Sequence, residues 1–337
     1  MSDPVLRVDH LSIAFVNGRA RRQAVRDLSF SVDRGETLAL VGESGCGKSI
    51  TALSLLGLLP TSGRVDGGSV RLEGRDISAL PEAELRRLRG ARIAMIFQEP
   101  MTALNPVLTV GEQVMEAILE HENVSRRAAR ARALALLERV RIPDAPRRFD
   151  DFPHRLSGGM RQRVMIAMAL ALSPAVLVAD EPTTALDVTI QAQILDLIDE
   201  LKRENGTAVV LITHDLGVVA QHADRVLVMY AGRKVEERPT AELFARPLHP
   251  YTRGLIAARP RLGAERAGRA RLAEIPGTVP SLAAMPAGCA FAPRCALAEP
   301  ACRVAVPPLV PQGDGAVACL RTGDIHVPEH PRDAVDA

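Results

Sequence analysis

A single glycine-rich loop constrains this chain more than any other feature. Residues 42–49 read Gly42-Glu43-Ser44-Gly45-Cys46-Gly47-Lys48-Ser49, a complete G-x-x-x-x-G-K-S, and they follow the apolar run TLALV at 37–41. Glycines so placed let backbone N–H groups turn inward around a phosphate, provided the loop joins a buried strand to a helix. A flexible turn would explain the glycines but not that flanking context. A helix is predicted from Ile50 to Leu59, its N-terminal dipole facing the same anion. In such a loop the lysine, Lys48, reaches the β- and γ-phosphates, and the Ser49 hydroxyl ligates Mg²⁺. Gly42 through Ile50 are therefore the expected contacts for ATP and its magnesium. The loop commits the chain to an α/β fold.

Three further apolar runs have strand length and no alternation: IAMIF (93–97), AVLVA (175–179) and AVVLI (208–212). Runs of this kind suit parallel strands covered by helices on both faces. Each ends in polar chemistry, at Gln98, at Asp180-Glu181, and through Thr213 at His214. Ligands of open parallel sheets sit outside the carboxyl ends of the strands, so the four runs point to one site. Asp180 and Glu181 read alone as carboxylates capping the next helix. Beside a phosphate loop they read as a metal ligand followed by the general base that polarises water. His214 alone would be an ordinary surface or core histidine, and its place on the shared edge makes it a site candidate.

The charge balance restricts the partners. Lys and Arg number 42 and Asp and Glu 40, a formal charge of +2, which does not fit nucleic-acid binding through a broad cationic surface. Arg126, Arg127, Arg130 and Arg132 recur among Ala and Leu between Ser125 and Arg141, as expected for the solvated face of a helix. The N-terminal MSDPVLRVDH lacks the layout of a signal peptide. The greasiest stretch, Val164 to Ala179, is interrupted by Ser173 and Pro174 and is too short to span a bilayer. A soluble protein is expected, with any membrane association made through a partner.

Two more segments complete a pattern. Leu156-Ser-Gly-Gly-Met-Arg-Gln-Arg163 resembles the signature of ABC ATPases, and Ala185-Leu-Asp187 resembles their D-loop. Gln98 and His214 match the family's Q-loop and switch histidine in order and spacing. The resemblance implies an ABC-type nucleotide-binding domain over residues 1–260, with a RecA-like core, an antiparallel β-subdomain and a helical subdomain at about 99–155. It also implies two such domains closing head to tail around two ATPs. Lys48, Ser49, Gln98, Asp180, Glu181 and His214 would serve one ATP, with Ser49, Gln98 and Asp180 at the magnesium. Ser157, Gly158 and Gly159 would reach the nucleotide of the opposite subunit, with Asp187 at the same interface. Free N–H groups ahead of the apolar helix expected at about Met160 to Leu172 suit that role. Phe15 is the candidate for stacking on adenine, and core packing accounts for it equally well.

A narrower resemblance is to the dipeptide/oligopeptide importer ATPases. It rests on Ile96-Phe-Gln-Glu-Pro-Met-Thr-Ala-Leu-Asn-Pro106, Pro247-Leu-His-Pro-Tyr-Thr-Arg253 and Ile275-Pro-Gly-Thr-Val-Pro-Ser-Leu282. It implies a second, homologous ATPase subunit, two permease subunits and, indirectly, an extracytoplasmic solute-binding protein. The place implied is the cytoplasmic face of the inner (plasma) membrane. The rivals are a non-transport ABC ATPase of DNA repair or translation and a metal–sulfur-sensing regulatory ATPase. Long coiled-coil insertions and a second P-loop are lacking, and Glu181 and His214 are present, so both rivals fit less well.

Prolines crowd the segment after about residue 260, and no helical or strand period survives there. An irregular C-terminal extension over 261–337 is expected. It holds Cys289, Cys295, Cys302 and Cys319 in the spacing C-x5-C-x6-C-x16-C. Disulfides, a zinc site and an iron–sulfur cluster all take such a set, and the spacing does not choose among them. The importer resemblance implies a [4Fe–4S] cluster, with zinc as the alternative. The fifth cysteine, Cys46, sits at a helix N-terminus beside Lys48. A small residue in a slot that needs only a backbone N–H accounts for it. Even so, a thiol so placed is expected to ionise more easily than a free one, so that maleimide would block hydrolysis and Mg-ATP would protect.

Overall fold

A computed structural model describes residues 3–18, 20–184, 186–258 and 274–322. Its centre is an eight-stranded sheet. In order across the sheet its strands are 310–312, 315–317, 233–239, 225–230, 37–41, 208–212, 176–180 and 93–96. The strand Thr37–Val41 runs parallel to Ala208–Ile212 on one side and to Arg225–Tyr230 on the other. Every residue of Thr37–Val41, Val176–Asp180 and Ala208–Ile212 is buried, which is why these segments carry no polar alternation. Ile93–Ile96 closes the parallel set. It stops one residue before the apolar run does, leaving Phe97 exposed.

A second sheet is antiparallel, with strand order 20–32, 6–17, 63–72 and 75–76. Its apolar face (Leu6, Val8, Leu28, Val70) meets the main sheet and the P-loop helix in one core. Helices Val110–Leu119, Arg126–Arg139 and Gly158–Leu170 share a separate core with Ile96, Leu177 and Val209 of the main sheet. Ser125 caps the arginine-bearing helix, and Arg126, Arg127, Arg130 and Arg132 stay exposed. The P-loop helix covers Lys48–Leu55, shorter than the sequence pattern predicted. Gly57 ends it at φ 65°, and a Cβ there would meet Leu85 Cδ1 at 2.9 Å.

The described part of the C-terminal segment is largely irregular, as expected, but it adds two short strands to the main sheet. Gly315–Val317 pairs antiparallel with Arg233–Pro239, and Val310–Gln312 pairs with it in turn. Three-residue strands are too short to show a period, so pairing partners rather than local pattern define them. A third core cluster joins Val228 and Tyr251 to Phe291, with Ile275 and Val279 packed against it. The boundary expected near residue 260 lies outside the described residues. No helix among those described is long and apolar enough to cross a membrane.

Candidate functional site

The P-loop takes its shape from what surrounds each glycine. A Cβ at Gly42 would stand 2.3 Å from the Met229 carbonyl oxygen, and one at Gly47 would stand 3.1 Å from that of Ala24. Gly45, at φ 78°, faces open space, so its conformation rather than crowding calls for glycine. Lys48 is buried. Its Nζ donates to the carbonyls of Gly42 at 2.7 Å and Glu43 at 3.1 Å, two acceptors an arriving phosphate would replace. Ile50 is partly buried against the neighbouring core.

Ser49 Oγ donates to Asp180 Oδ1 at 3.1 Å, joining the loop to the end of the strand Val176–Asp180. Burial pushes the Asp180 carboxyl upward, against the pull of the Ser49 hydrogen bond and Lys48. An oxygen pair of this kind suits a hard divalent cation, whose charge would reverse that direction. Glu181 then turns away at φ 46°, a left-handed conformation unusual for a side-chain-bearing residue. Its Oε2 accepts from Gln98 Nε2 at 3.0 Å and from Thr184 Oγ1 at 2.7 Å, and its Oε1 lies 3.2 Å from His214 Nδ1. Burial alone would raise this carboxyl, but the Thr184 and His214 hydrogen bonds, with the charges of His214 and Lys48, hold it below its usual value. Lys48, Gln98, Glu181 and His214 line one cavity of about 560 Å³ with Gly42 and Glu43. Asp215, Leu216, Leu255 and Ala258 share its wall. No motif or spacing had singled out these four. A cavity of about 580 Å³ between the N-terminal sheet and the tail shares none of these residues.

A profile described as ABC transporter matches residues 25–184, and one described as oligopeptide/dipeptide transporter, C-terminal region, matches residues 235–302. A putative peptide import ATP-binding protein of Brucella abortus (strain 2308) is 54% identical over 316 residues, covering 91% of this chain and 93% of the relative. A probable peptide ABC transporter ATP-binding protein of Sinorhizobium fredii is 53% identical over 326 residues, covering 96% and 97%. The chain belongs to the ABC transporter ATP-binding proteins. A dimeric ATP-binding cassette in a post-hydrolysis state, bound to ADP and Pi, aligns with TM-score 0.63 at 29% identity over 70% of this chain and 98% of that one. The cbiO1 protein of Clostridium perfringens, part of the ABC transporter complex cbiONQ, aligns with TM-score 0.62 at 28% identity over 73% and 92%. As a member of this family the chain is an ABC-type ATPase.

Not every candidate of this ABC ATPase reaches its own P-loop. Ser157, Gly158 and Gly159 do not line that cavity, and neither do Asp187 and Phe15. Ser157, Gly159, Asp187 and Phe15 also have local structural roles. Ser157 Oγ caps the signature helix by accepting from Met160 N at 3.4 Å. A Cβ on Gly159 would meet Ile190 Cγ2 at 2.9 Å, so close packing against the helix Val188–Asn205 accounts for the second glycine. Asp187 Oδ1 caps that helix by accepting from Ile190 N at 2.9 Å. Ala185 lies outside the described residues. Phe15 is half-buried on the strand Leu6–Asn17, with Gly63 beneath its ring.

Cys46 overturns an expectation. Its side chain is fully buried, and burial pushes the thiol up despite Lys48 Nζ at 3.7 Å from the sulfur. A helix N-terminus and a lysine favour a thiolate only where water or a ligand reaches it. Maleimide block at Cys46 is therefore not expected.

The ABC ATPase's tail brings its cysteines together. Cys289, Cys295, Cys302 and Cys319 are all free and all line one small cavity, with His249 and Phe291 among its walls. Burial, together with neighbouring cysteines, raises the thiols of Cys289, Cys295 and Cys319. Four thiols lining one cavity are a donor set of the kind soft metal centres use. Among the described residues, no group of three or more His, Cys, Asp or Glu is gathered closely enough to hold a metal ion as it stands.

Proposed function

We propose that this ATPase is the motor of an importer for di- or oligopeptides or related solutes, paired with a second, homologous ATPase subunit on two permease subunits. An extracytoplasmic binding protein would deliver the solute, and the permeases would hold the ATPase at the cytoplasmic face of the inner membrane. The observation that carries the motor reading is the Glu181 carboxylate, fixed by Gln98, Thr184 and His214 in the cavity that holds Lys48. The match of residues 235–302 to the oligopeptide/dipeptide transporter region supports the class of cargo.

In this reading Lys48 and the P-loop amides, including those of Glu43, Ser44, Gly45 and Cys46, hold the triphosphate. Ser49, Asp180 and Gln98 would hold Mg²⁺, which neutralises charge on the β- and γ-phosphates. Glu181, kept ionised at neutral pH, accepts the proton of the attacking water while His214 and Gln98 orient it. Ser157, Gly158 and Gly159 serve the nucleotide of the opposite subunit, with Asp187 beside them, and Phe15 faces adenine. The nucleotide-binding domain spans 1–260, with its helical subdomain at about 99–155, and the extension spans 261–337. The four tail thiols would hold a [4Fe–4S] cluster, with zinc as the alternative. Its part would be to staple a segment with little core of its own.

Two measurements test this. ATPase activity of the ATPase pair with its permeases in lipid nanodiscs should rise when peptide-loaded binding protein is added, and no rise with any peptide would sink the cargo assignment. Anaerobically purified protein should carry about four irons and four labile sulfides per chain. They should be lost when the four tail cysteines become Ser, whereas one zinc and no sulfide would make the tail a zinc staple.

A further inference from the structure

The second residue of the P-loop is a carboxylate in a site built for a polyanion. Glu43 lines the nucleotide cavity beside Lys48, where a free negative charge would oppose the triphosphate. It is not free. Arg294, from the C-terminal tail, donates through Nη1 to Glu43 Oε1 at 3.0 Å and Oε2 at 2.9 Å. The Arg294 side chain is 5% exposed. Nη1 also reaches Tyr230 Oη at 3.3 Å, while Nη2 donates to the Ile275 carbonyl at 3.1 Å and Nε to the Pro276 carbonyl at 2.8 Å. A planar guanidinium serves a carboxylate and several carbonyls at once, which an ammonium does not. The backbone of Glu43 is held from the same side, its N–H donating to Tyr251 Oη at 2.8 Å.

Tyr251 is positioned in turn by its surroundings. His249 Nδ1 accepts from Tyr251 N at 3.0 Å and caps the helix Pro250–Ala257. The Tyr251 ring packs edge-on against Tyr230, with centroids 4.6 Å apart, and lies against Phe291 of the tail at 5.4 Å. Two segments far along the chain, 249–251 and 291–294, thus converge on one residue of the phosphate loop.

We propose that Arg294 is a positioning residue for the nucleotide. From the tail it neutralises Glu43 and keeps that carboxylate turned out of the path of the triphosphate. The inference rests on the P-loop binding ATP, so the unaltered full chain must first bind Mg-ATP in the same calorimetric titration. Arg294→Met should then weaken Mg-ATP binding by about tenfold, the scale of one uncompensated charge near the phosphates. In the assembled transporter KM for ATP should rise while kcat at saturating ATP stays close to that of the unaltered protein.

The decisive variant is the pair Glu43→Gln/Arg294→Met, which should bind Mg-ATP several-fold more tightly than Arg294→Met because the orphaned charge is gone. A role confined to anchoring the tail through Ile275 and Pro276 predicts no such recovery, and its absence would overturn the proposal. Arg294→Lys keeps the charge beside Glu43 and gives up the fork, so its affinity should fall near that of the unaltered chain. If Arg294→Met does not fold, the lysine variant decides alone: near-normal affinity supports the proposal, and a tenfold loss refutes it.

Discussion

Glu43 and Glu181 show how little a residue's type says about its work. Both are glutamates on the wall of the same cavity. One is tied to a buried arginine, the other to Gln98, Thr184 and His214. The Thr184 and His214 hydrogen bonds, with the charges of His214 and Lys48, hold the Glu181 carboxyl below its usual value, as the proposed base needs if it is to be ionised at the cavity. Glu181→Gln keeps the shape and removes the basicity. ATP hydrolysis should fall by roughly 10²–10⁴ while Mg-ATP binding is retained, since general-base catalysis is worth about that much. Steady-state turnover alongside a binding titration checks it, and unchanged turnover would remove Glu181 from the role. Cys46 carries the opposite lesson. Its neighbours by sequence favoured a reactive thiol, and its burial in the core pushes the thiol's pKa up instead.

At the scale of elements, the four apolar runs were legible because fully buried parallel strands admit no polar residue on either face. All four became strands within one residue of their run, Ile93–Ile96 ending where Phe97 turns to solvent. Helix starts were less legible. Ser157 and Asp187 stood out as members of nucleotide motifs, and both also act as helix caps. A cap and a ligand contact use the same short polar side chain and the same free N–H groups, so the sequence pattern is identical for the two. The long antiparallel strands Leu6–Asn17 and Ala20–Val32 have register shifts that blur any two-residue period.

At the scale of the whole molecule, the tail is part of the fold. Without Gly315–Val317, the strand Arg233–Pro239 would be the edge of the main sheet. Val317 is fully buried at that join. Val317→Asp would place a carboxylate there without a partner, at a penalty of several kcal/mol against pairing of the two strands. Amide hydrogen exchange should rise across 233–239 and stay slow across 37–41. Equal protection in both would show that the tail strand does not cover the edge.

The sequence by itself determined the chemistry at the ends of the parallel strands. The phosphate loop, the proposed metal ligand and base, and the histidine each follow a short apolar run, and both signals are local enough to read residue by residue. Only the tertiary structure decided which groups meet across long separations. Arg294 on Glu43 spans 251 positions and Glu43 N–H on Tyr251 spans 208. Contacts of that kind leave no period and no spacing, because chain folding brings together side chains whose sequence positions are unrelated. The same holds for the four tail thiols. Their count was visible, but their convergence on one cavity depends on the tail closing over the sheet.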